Sequence, residues 1–100
     1  MAQTGDPTGT GTGGSGTNLD AEFTDYEYRV GTVGMARSSD PNSGDSQFFI
    51  CFDDAPHLDR QYSAFGKVIK GMELIDQIKK GDPNSGAVPN PDKIISLRSK

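Results

Sequence analysis

The sequence contains little of the chemistry on which most enzyme mechanisms depend. Its 100 residues include one cysteine, one histidine and no tryptophan. The lone cysteine, Cys51, cannot form an intrachain disulfide, and it lies inside an apolar run, which is typical of a buried small hydrophobic residue. Residue types and spacing alone indicate no nucleophile, no pair of catalytic carboxylates and no cluster of metal ligands.

Long apolar segments and an excess of positive charge are also missing. No segment approaches the roughly 20 apolar residues that span a bilayer, and the first residues, MAQTGDPTG, have neither the basic start nor the apolar centre of a signal peptide. The formal net charge is −4 and the pI is about 4.7, which disfavours nucleic-acid binding through phosphate contacts. We therefore expect no membrane or nucleic-acid partner and a cytoplasmic location.

What is present suits one small globular domain. Hydrophobic residues make up 32% of the chain and glycine adds 13 residues, an ordinary composition for a domain with a modest core. Residues 1–18 form a Gly/Thr-rich region in which we expect a loop. Its segment 9–14 matches G-x-G-x-x-G, but no strand precedes it and no helix follows it, so we do not interpret it as a phosphate-binding loop.

Hydrophobic periodicity predicts a mainly β domain with one short helix. The predicted strands are residues 30–36, 48–52, 62–69 and 92–98. A helix is predicted over residues 72–80, where apolar residues recur at helical spacing before two lysines and a glycine. We expect Leu74, Ile75 and Ile78 to lie on the buried side of this helix.

Two polar patterns resemble binding sites only at first sight. The pentapeptide DPNSG occurs at residues 40–44 and 82–86, and it predicts turns rather than calcium loops, because no glutamate closes a 12-residue loop. Three aspartates surround His57 between residues 53 and 59, but a single histidine among loop carboxylates is more typical of a solvated corner than of a metal site. We expect neither a metal nor another cofactor.

Six ordered blocks of sequence are far more specific. They are MAQTGDPTGTGTGGSG (1–16), GTVGMARS (31–38), SQFFI (46–50), LDRQY (58–62), FGKVIKGMELID (65–76) and NPDKI (90–94). Together they resemble the cyclophilin-type peptidyl-prolyl cis-trans isomerases. The tyrosine of LDRQY stands where many eukaryotic members have histidine, which indicates the bacterial branch. The resemblance implies that residues 1–100 form a single cyclophilin-like domain that is truncated at its beginning.

The fold implied by the resemblance is an incomplete antiparallel β-barrel with one short α-helix. Family members are closed eight-stranded barrels capped by two helices, with a peptide groove on one outer face. The family's first strands, its first helix and the F-H-R block that carries its catalytic arginine have no counterpart in these residues. We therefore expect a barrel with an exposed edge, through which two chains could pair as a homodimer.

The resemblance also distinguishes the two phenylalanines of SQFFI. Phe49 would line the pocket for the substrate's proline ring, whereas Phe48 would pack inward, since neighbouring side chains of a strand point to opposite faces. The substrate-binding residues that the resemblance implies are Met1, Gln3, Ala36, Arg37, Gln47, Phe49, His57, Leu58 and Tyr62. No catalytic residue is assigned, and Arg37 and His57 are the candidates for replacing the family's arginine.

Three functions stay open at this point. The first is a weak isomerase that acts on X–Pro bonds in peptides or unfolded proteins, needs no cofactor and accepts cyclosporin-like ligands. The second is a catalytically silent module that only binds proline peptides. The third is a structural fragment with no groove, in which Phe48 and Phe49 are both core residues.

Overall fold

One open antiparallel sheet organises the chain. The computed structural model describes residues 1–78, 80–81 and 85–98. The elements are β1 (Ala2–Thr4), β2 (Thr32–Met35), β3 (Phe48–Ile50), a 3-10 turn (Pro56–Leu58), β4 (Ala64–Lys67) and α1 (Met72–Ile75). The strand order is β1-β3-β2-β4. The sheet therefore ends at β1 on one side and at β4 on the other, and it does not close into a barrel within the described residues.

The pairing register decides which residues share a face of the sheet. Phe49 lies opposite Gln3 of β1 and opposite Gly34 of β2, so these three residues share one face. The side chains on the other face come mainly from β2 and β3, and Phe65 of β4 joins them through an edge-to-face contact with Phe48, with ring centroids 6.5 Å apart. The predicted separation of Phe48 and Phe49 onto opposite faces is confirmed, but the residue that packs inward is Phe49, which is 2% exposed, and not Phe48, which is half-buried.

The buried core lies on the Phe49 face. It consists of Tyr28, Phe49, Cys51, Ala55 and Leu58. Tyr28 reaches it from an irregular segment before β2, where its N–H donates to Oδ1 of Asp59 at 2.7 Å and its carbonyl accepts the N–H of Ala55 at 2.8 Å. These bonds satisfy the backbone of a segment that has no strand partner at this point.

Three of the four predicted strands are confirmed with shorter bounds, as β2, β3 and β4. The predicted strand over residues 92–98 is wrong. These residues form no strand, and Ile95 is 99% and Leu97 73% exposed. The prediction rested on an apolar pair, Ile94 and Ile95, but a strand is stable only beside another strand, and propensity cannot supply that neighbour.

The helix is also shorter than predicted. It covers Met72–Ile75 and begins after Gly71, whose φ is 86°. No residue of α1 is fully buried, and Leu74 is 60% exposed, so its prediction as a buried residue is wrong, while Ile75 and Ile78 are half-buried. A single helical turn gains little from propensity and depends on packing against a neighbour, which is weak here.

One further difference concerns the N-terminal region. Thr4, which the sequence analysis assigned to the loop, ends β1 and pairs with Phe48. The repeated pentapeptide DPNSG is described at its first copy. That copy is a turn as predicted, with the N–H of Ser43 donating to the carbonyl of Asp40 at 3.1 Å. The second copy falls mostly outside the described residues.

In the part of the chain that the structure describes, no helix is long and apolar enough to cross a membrane.

Candidate functional site

Three aromatic rings in contact form the centre of the candidate site. The ring of Phe49 stacks against Tyr28 with centroids 5.7 Å apart, and it meets the ring of Tyr62 edge to face at the same centroid distance. Phe49 is 2% and Leu58 7% exposed, whereas Tyr62 is half-buried. Phe49 and Leu58 therefore serve as core residues here, with Tyr62 between them and solvent.

Arg37 extends this aromatic series towards the surface. Its guanidinium carbon lies 4.7 Å from the centroid of the Tyr62 ring, a cation–π geometry. Nε and Nη2 donate to the carbonyl of Gln61 at 3.0 and 2.8 Å, and Nη1 donates to the carbonyl of Ser38 at 2.9 Å. The guanidinium is thus beside the site, with most of its donors already used by main-chain carbonyls.

Two side-chain amides form the polar rim. Nε2 of Gln3 donates to Oε1 of Gln47 at 2.8 Å across β1 and β3. Nε2 of Gln47 donates in turn to the carbonyl of Gly13 at 2.8 Å and to that of Gly11 at 3.2 Å. These residues, with Ala36 and Arg37, line a cleft of about 400 Å³. Gln47 therefore attaches the Gly/Thr-rich loop to the sheet at the edge of the site.

Two carboxylates hold that loop in shape. Asp6 accepts backbone N–H bonds from residues 8, 10, 11 and 13, and Asp45 accepts those of Ser15 and Gly16. Partial desolvation acts against ionisation of Asp6, but the hydrogen bonds outweigh it and hold the pKa of Asp6 well below its ordinary value. The hydrogen bonds from Ser15 likewise lower the pKa of Asp45. The loop is therefore ordered by anionic side chains rather than by packing.

The remaining predicted site residues lie at the margin. Met1 is 55% exposed and precedes β1, and His57 is exposed in the 3-10 turn. The carboxylates near His57 have structural partners, because Asp59 binds the N–H of Tyr28 and Asp54 that of Val30. Among the described residues, no group of three or more His, Cys, Asp or Glu side chains is arranged to hold a metal.

Comparison with known proteins identifies the family of the chain. The family model described as cyclophilin-type peptidyl-prolyl cis-trans isomerase/CLD matches residues 1–99. The chain belongs to this family. A probable peptidyl-prolyl cis-trans isomerase of Brucella abortus is 53% identical over 95% of this chain and 55% of that protein. The peptidyl-prolyl cis-trans isomerase-like 3 of Rattus norvegicus is 49% identical over 80% of this chain and 52% of that protein.

A solved cyclophilin has the same fold over most of these residues. The crystal structure of a cyclophilin-type peptidyl-prolyl cis-trans isomerase of Cryptosporidium parvum, obtained in the presence of the dipeptide Ala-Pro, matches with a TM-score of 0.75. Identity is 38%, over 88% of this chain and 60% of that chain. The chain spans about half the length of the sequence relatives it matches.

For this cyclophilin-family chain, the structure brings most of the predicted site residues together and leaves two apart. Gln3, Ala36, Arg37, Gln47, Phe49, Leu58 and Tyr62 are joined by strand pairing, hydrogen bonds or ring contacts. Met1 and His57 are exposed beside them. The sequence analysis missed Tyr28, which lies outside the six similar blocks. The sequence offers one indication of its role, which is that Tyr28 is an aromatic residue shortly before a predicted strand.

Proposed function

We propose that the chain binds X–Pro segments of peptides or unfolded proteins and isomerises them weakly, as a cyclophilin-type peptidyl-prolyl isomerase. The observation that supports this most is the row of Gln3, Phe49 and Gly34 across three strands, with Tyr62 against Phe49 and two amides at the rim. The related Cryptosporidium structure, obtained with Ala-Pro, supports the choice of ligand.

The reaction requires binding rather than covalent chemistry. An X–Pro bond isomerises over a barrier of about 18–20 kcal/mol, and an enzyme need only bind the twisted amide better than either planar form. In the proposed complex the proline ring lies against Phe49, Leu58 and Met1. The N–H of Ala36 already donates to the carbonyl of Gln47 at 3.0 Å, so we assign to the carbonyl of Ala36 the main-chain contact with the substrate.

Catalysis further requires a donor to the nitrogen of the twisted amide. Arg37 is the better-placed candidate, because its guanidinium stacks on Tyr62, whereas His57 is exposed in the 3-10 turn. To act, Arg37 would have to exchange its bonds to the carbonyls of Gln61 and Ser38 for one to the substrate. Lack of a preorganised donor typically costs about 10²–10³ in rate, and we expect a deficit of this order.

Two observations favour the alternatives. The engaged guanidinium of Arg37 favours a silent module that binds proline peptides without turning them over. The 2% exposure of Phe49 favours a structural fragment, because a proline ring can reach this phenylalanine only if the side chain of Tyr62 turns away from it.

One NMR experiment separates the three functions. Exchange spectroscopy on the tetrapeptide Ala-Ala-Pro-Ala measures exchange between cis and trans resonances, and chemical shifts of the protein measure binding. The expected result is shifts at Gln47, Phe49 and Tyr62 together with slow but measurable exchange. Shifts without exchange would leave a silent module, and no shifts would leave a structural fragment. The peptide Ala-Ala-Ala-Ala is the matched control and should cause neither effect.

Three finer assignments are proposals of the same kind. Cyclosporin-like ligands should compete with the peptide, because they would occupy the same face of the sheet. A cytoplasmic location agrees with Cys51, which is a buried free thiol and forms no disulfide. A homodimer would form through the free edges of β1 or β4.

A further inference from the structure

Tyr28 contacts two residues of the candidate groove at once. Its ring stacks on Phe49 with an interplanar angle of 27°, and its hydroxyl donates to the carbonyl of Tyr62 at 2.8 Å. Tyr28 is 1% exposed, so solvent does not replace either contact. Burial is the main cause that raises the pKa of Tyr28 to about 12, and the hydroxyl therefore stays protonated and able to donate throughout the neutral range.

Space for these contacts exists because residue 34 has no side chain. A Cβ atom at Gly34 would lie 2.5 Å from Cζ of Phe49 and 2.6 Å from the hydroxyl oxygen of Tyr28. Both distances are well below van der Waals contact, so any larger residue would require both rings, or the backbone of β2, to shift. Gly34 is thus required for space, and it allows Phe49 to lie close to the backbone of β2.

We propose that Tyr28 is a positioning residue for the proline site. Its two contacts fix the position of the Phe49 ring relative to the main chain of Tyr62. This inference rests on the proposed function, because it places Phe49 and Tyr62 at the bound proline. The stacked ring restricts movement of Phe49 away from Tyr62. The hydroxyl restricts movement of the segment that carries Tyr62. Tyr28 itself lies beneath Phe49 and touches no substrate.

The first test is Tyr28→Phe, which keeps the ring and removes the hydrogen bond. We expect the Kd of Ala-Ala-Pro-Ala to rise about five-fold, which corresponds to about 1 kcal/mol for one hydrogen bond. KM should rise with little change in kcat, and the amide resonance of Tyr62 should shift in the free protein. Tyr26→Phe is the matched control, because it makes the same change at a tyrosine that is 49% exposed. It should leave the Kd unchanged.

The second test uses the crowding at Gly34. Gly34→Ala should weaken peptide binding by displacing Phe49 and Tyr28. In the double variant Gly34→Ala/Tyr28→Phe, the ring at position 28 has lost its hydroxyl group and the hydrogen bond to the carbonyl of Tyr62. This ring can move away from residue 34, so the added methyl group should weaken peptide binding less than it does in the single variant. Circular dichroism checks that each variant in this comparison is folded, and non-additivity of this sign then supports the inference.

Two results would overturn the inference, and they are distinguishable. If the parent protein binds the peptide but Tyr28→Phe binds equally well, the role of Tyr28 is refuted while the proposed function stands. If the parent causes neither shifts nor exchange, the proposed function is refuted and the role of Tyr28 in it falls as well.

Discussion

The two faces of the sheet are both apolar, but only one is well covered. On one face Phe49 is 2% exposed, packed between Tyr28 and Tyr62. On the other face Phe65 is 59% exposed, and the remaining apolar residues are only half-buried: Val33, Met35, Phe48 and Ile50. The strands alone do not account for this difference. It arises from the irregular segment and the 3-10 turn, which bring Tyr28 and Leu58 onto the first face.

This comparison indicates where the stability of the chain originates. Free energy from apolar burial scales with the area removed from water, at about 25 cal/mol per Å². The Phe49 face therefore supplies a large share of that free energy, and it also carries the candidate site. Changes to the groove should consequently affect folding and binding together, whereas changes to the opposite face should affect mainly the association of chains.

The largest expected effect comes from the same substitution made on the two faces. Phe49→Ala should lower the free energy of unfolding by about 3–5 kcal/mol, the usual cost of removing a fully buried aromatic side chain. Phe65→Ala should cost much less, because Phe65 is mostly exposed and retains only its edge contact with Phe48. Urea denaturation followed by circular dichroism measures both changes. Equal losses would mean that the two faces are covered to the same degree.

The next prediction concerns association through the poorly covered face. Exposed apolar side chains next to a free strand edge favour pairing with a second chain. We expect sedimentation at micromolar concentration to give a mass well above 10.7 kDa. Phe65→Glu should return the mass to that of one chain, since it places a charge on the exposed face. A parent that sediments as a monomer at every concentration tested would contradict this prediction.

How far the sequence predicts the structure differs between these regions. Strands β2, β3 and β4 could be predicted because their apolar residues lie in short runs bounded by turn residues, and the family resemblance separated Phe48 from Phe49. The burial of Phe49 could not be predicted, because it depends on Tyr28, a residue of an irregular segment whose position is set by Asp59 and Ala55.

The C-terminal errors have a different physical cause. Residues 92–98 contain the apolar pair Ile94 and Ile95, which suggested a strand, and residues 72–80 have helical spacing. Both patterns indicate only which structure a segment can adopt once it is packed against a neighbour. Ile95 is 99% exposed, so the segment lacks the buried contact that a strand there would require. Such contacts are a property of the tertiary structure, and local sequence does not contain them.

A smaller effect is expected from the rim of the site. Gln47→Ala removes the amide that binds the carbonyls of Gly11 and Gly13 and accepts from Gln3. We expect peptide affinity to fall several-fold and the free energy of unfolding to fall by about 1 kcal/mol, because the three hydrogen bonds that are lost lie near the surface and water replaces much of each. Gln61→Ala is the control, because it is exposed and only its main-chain carbonyl contacts Arg37. A loss of stability as large as that of Phe49→Ala would show that the loop belongs to the core.

The smallest effect, and the most specific, concerns the pH dependence of the loop. The folded pKa of Asp6 lies below its unfolded value of about 3.9, because hydrogen bonds from the loop outweigh partial desolvation. The carboxylate therefore stabilises the folded loop fully above that unfolded value, and the contribution is lost as the pH falls towards the folded pKa. Asp6→Asn should remove this part of the acid dependence.

The readout is amide hydrogen exchange together with the Tm between pH 5 and pH 2. In the parent, protection of the N–H groups of Thr8, Gly11 and Gly13 should decrease over this range, since these groups bind the Asp6 carboxylate. In Asp6→Asn, protection should be low already at pH 5 and should change less. Asp53→Asn, at an exposed position, alters the net charge equally and should behave as the parent. If Asp6→Asn kept the parent's protection at pH 5, the loop would be held by its hydrogen bonds to Gln47 and not by the charge.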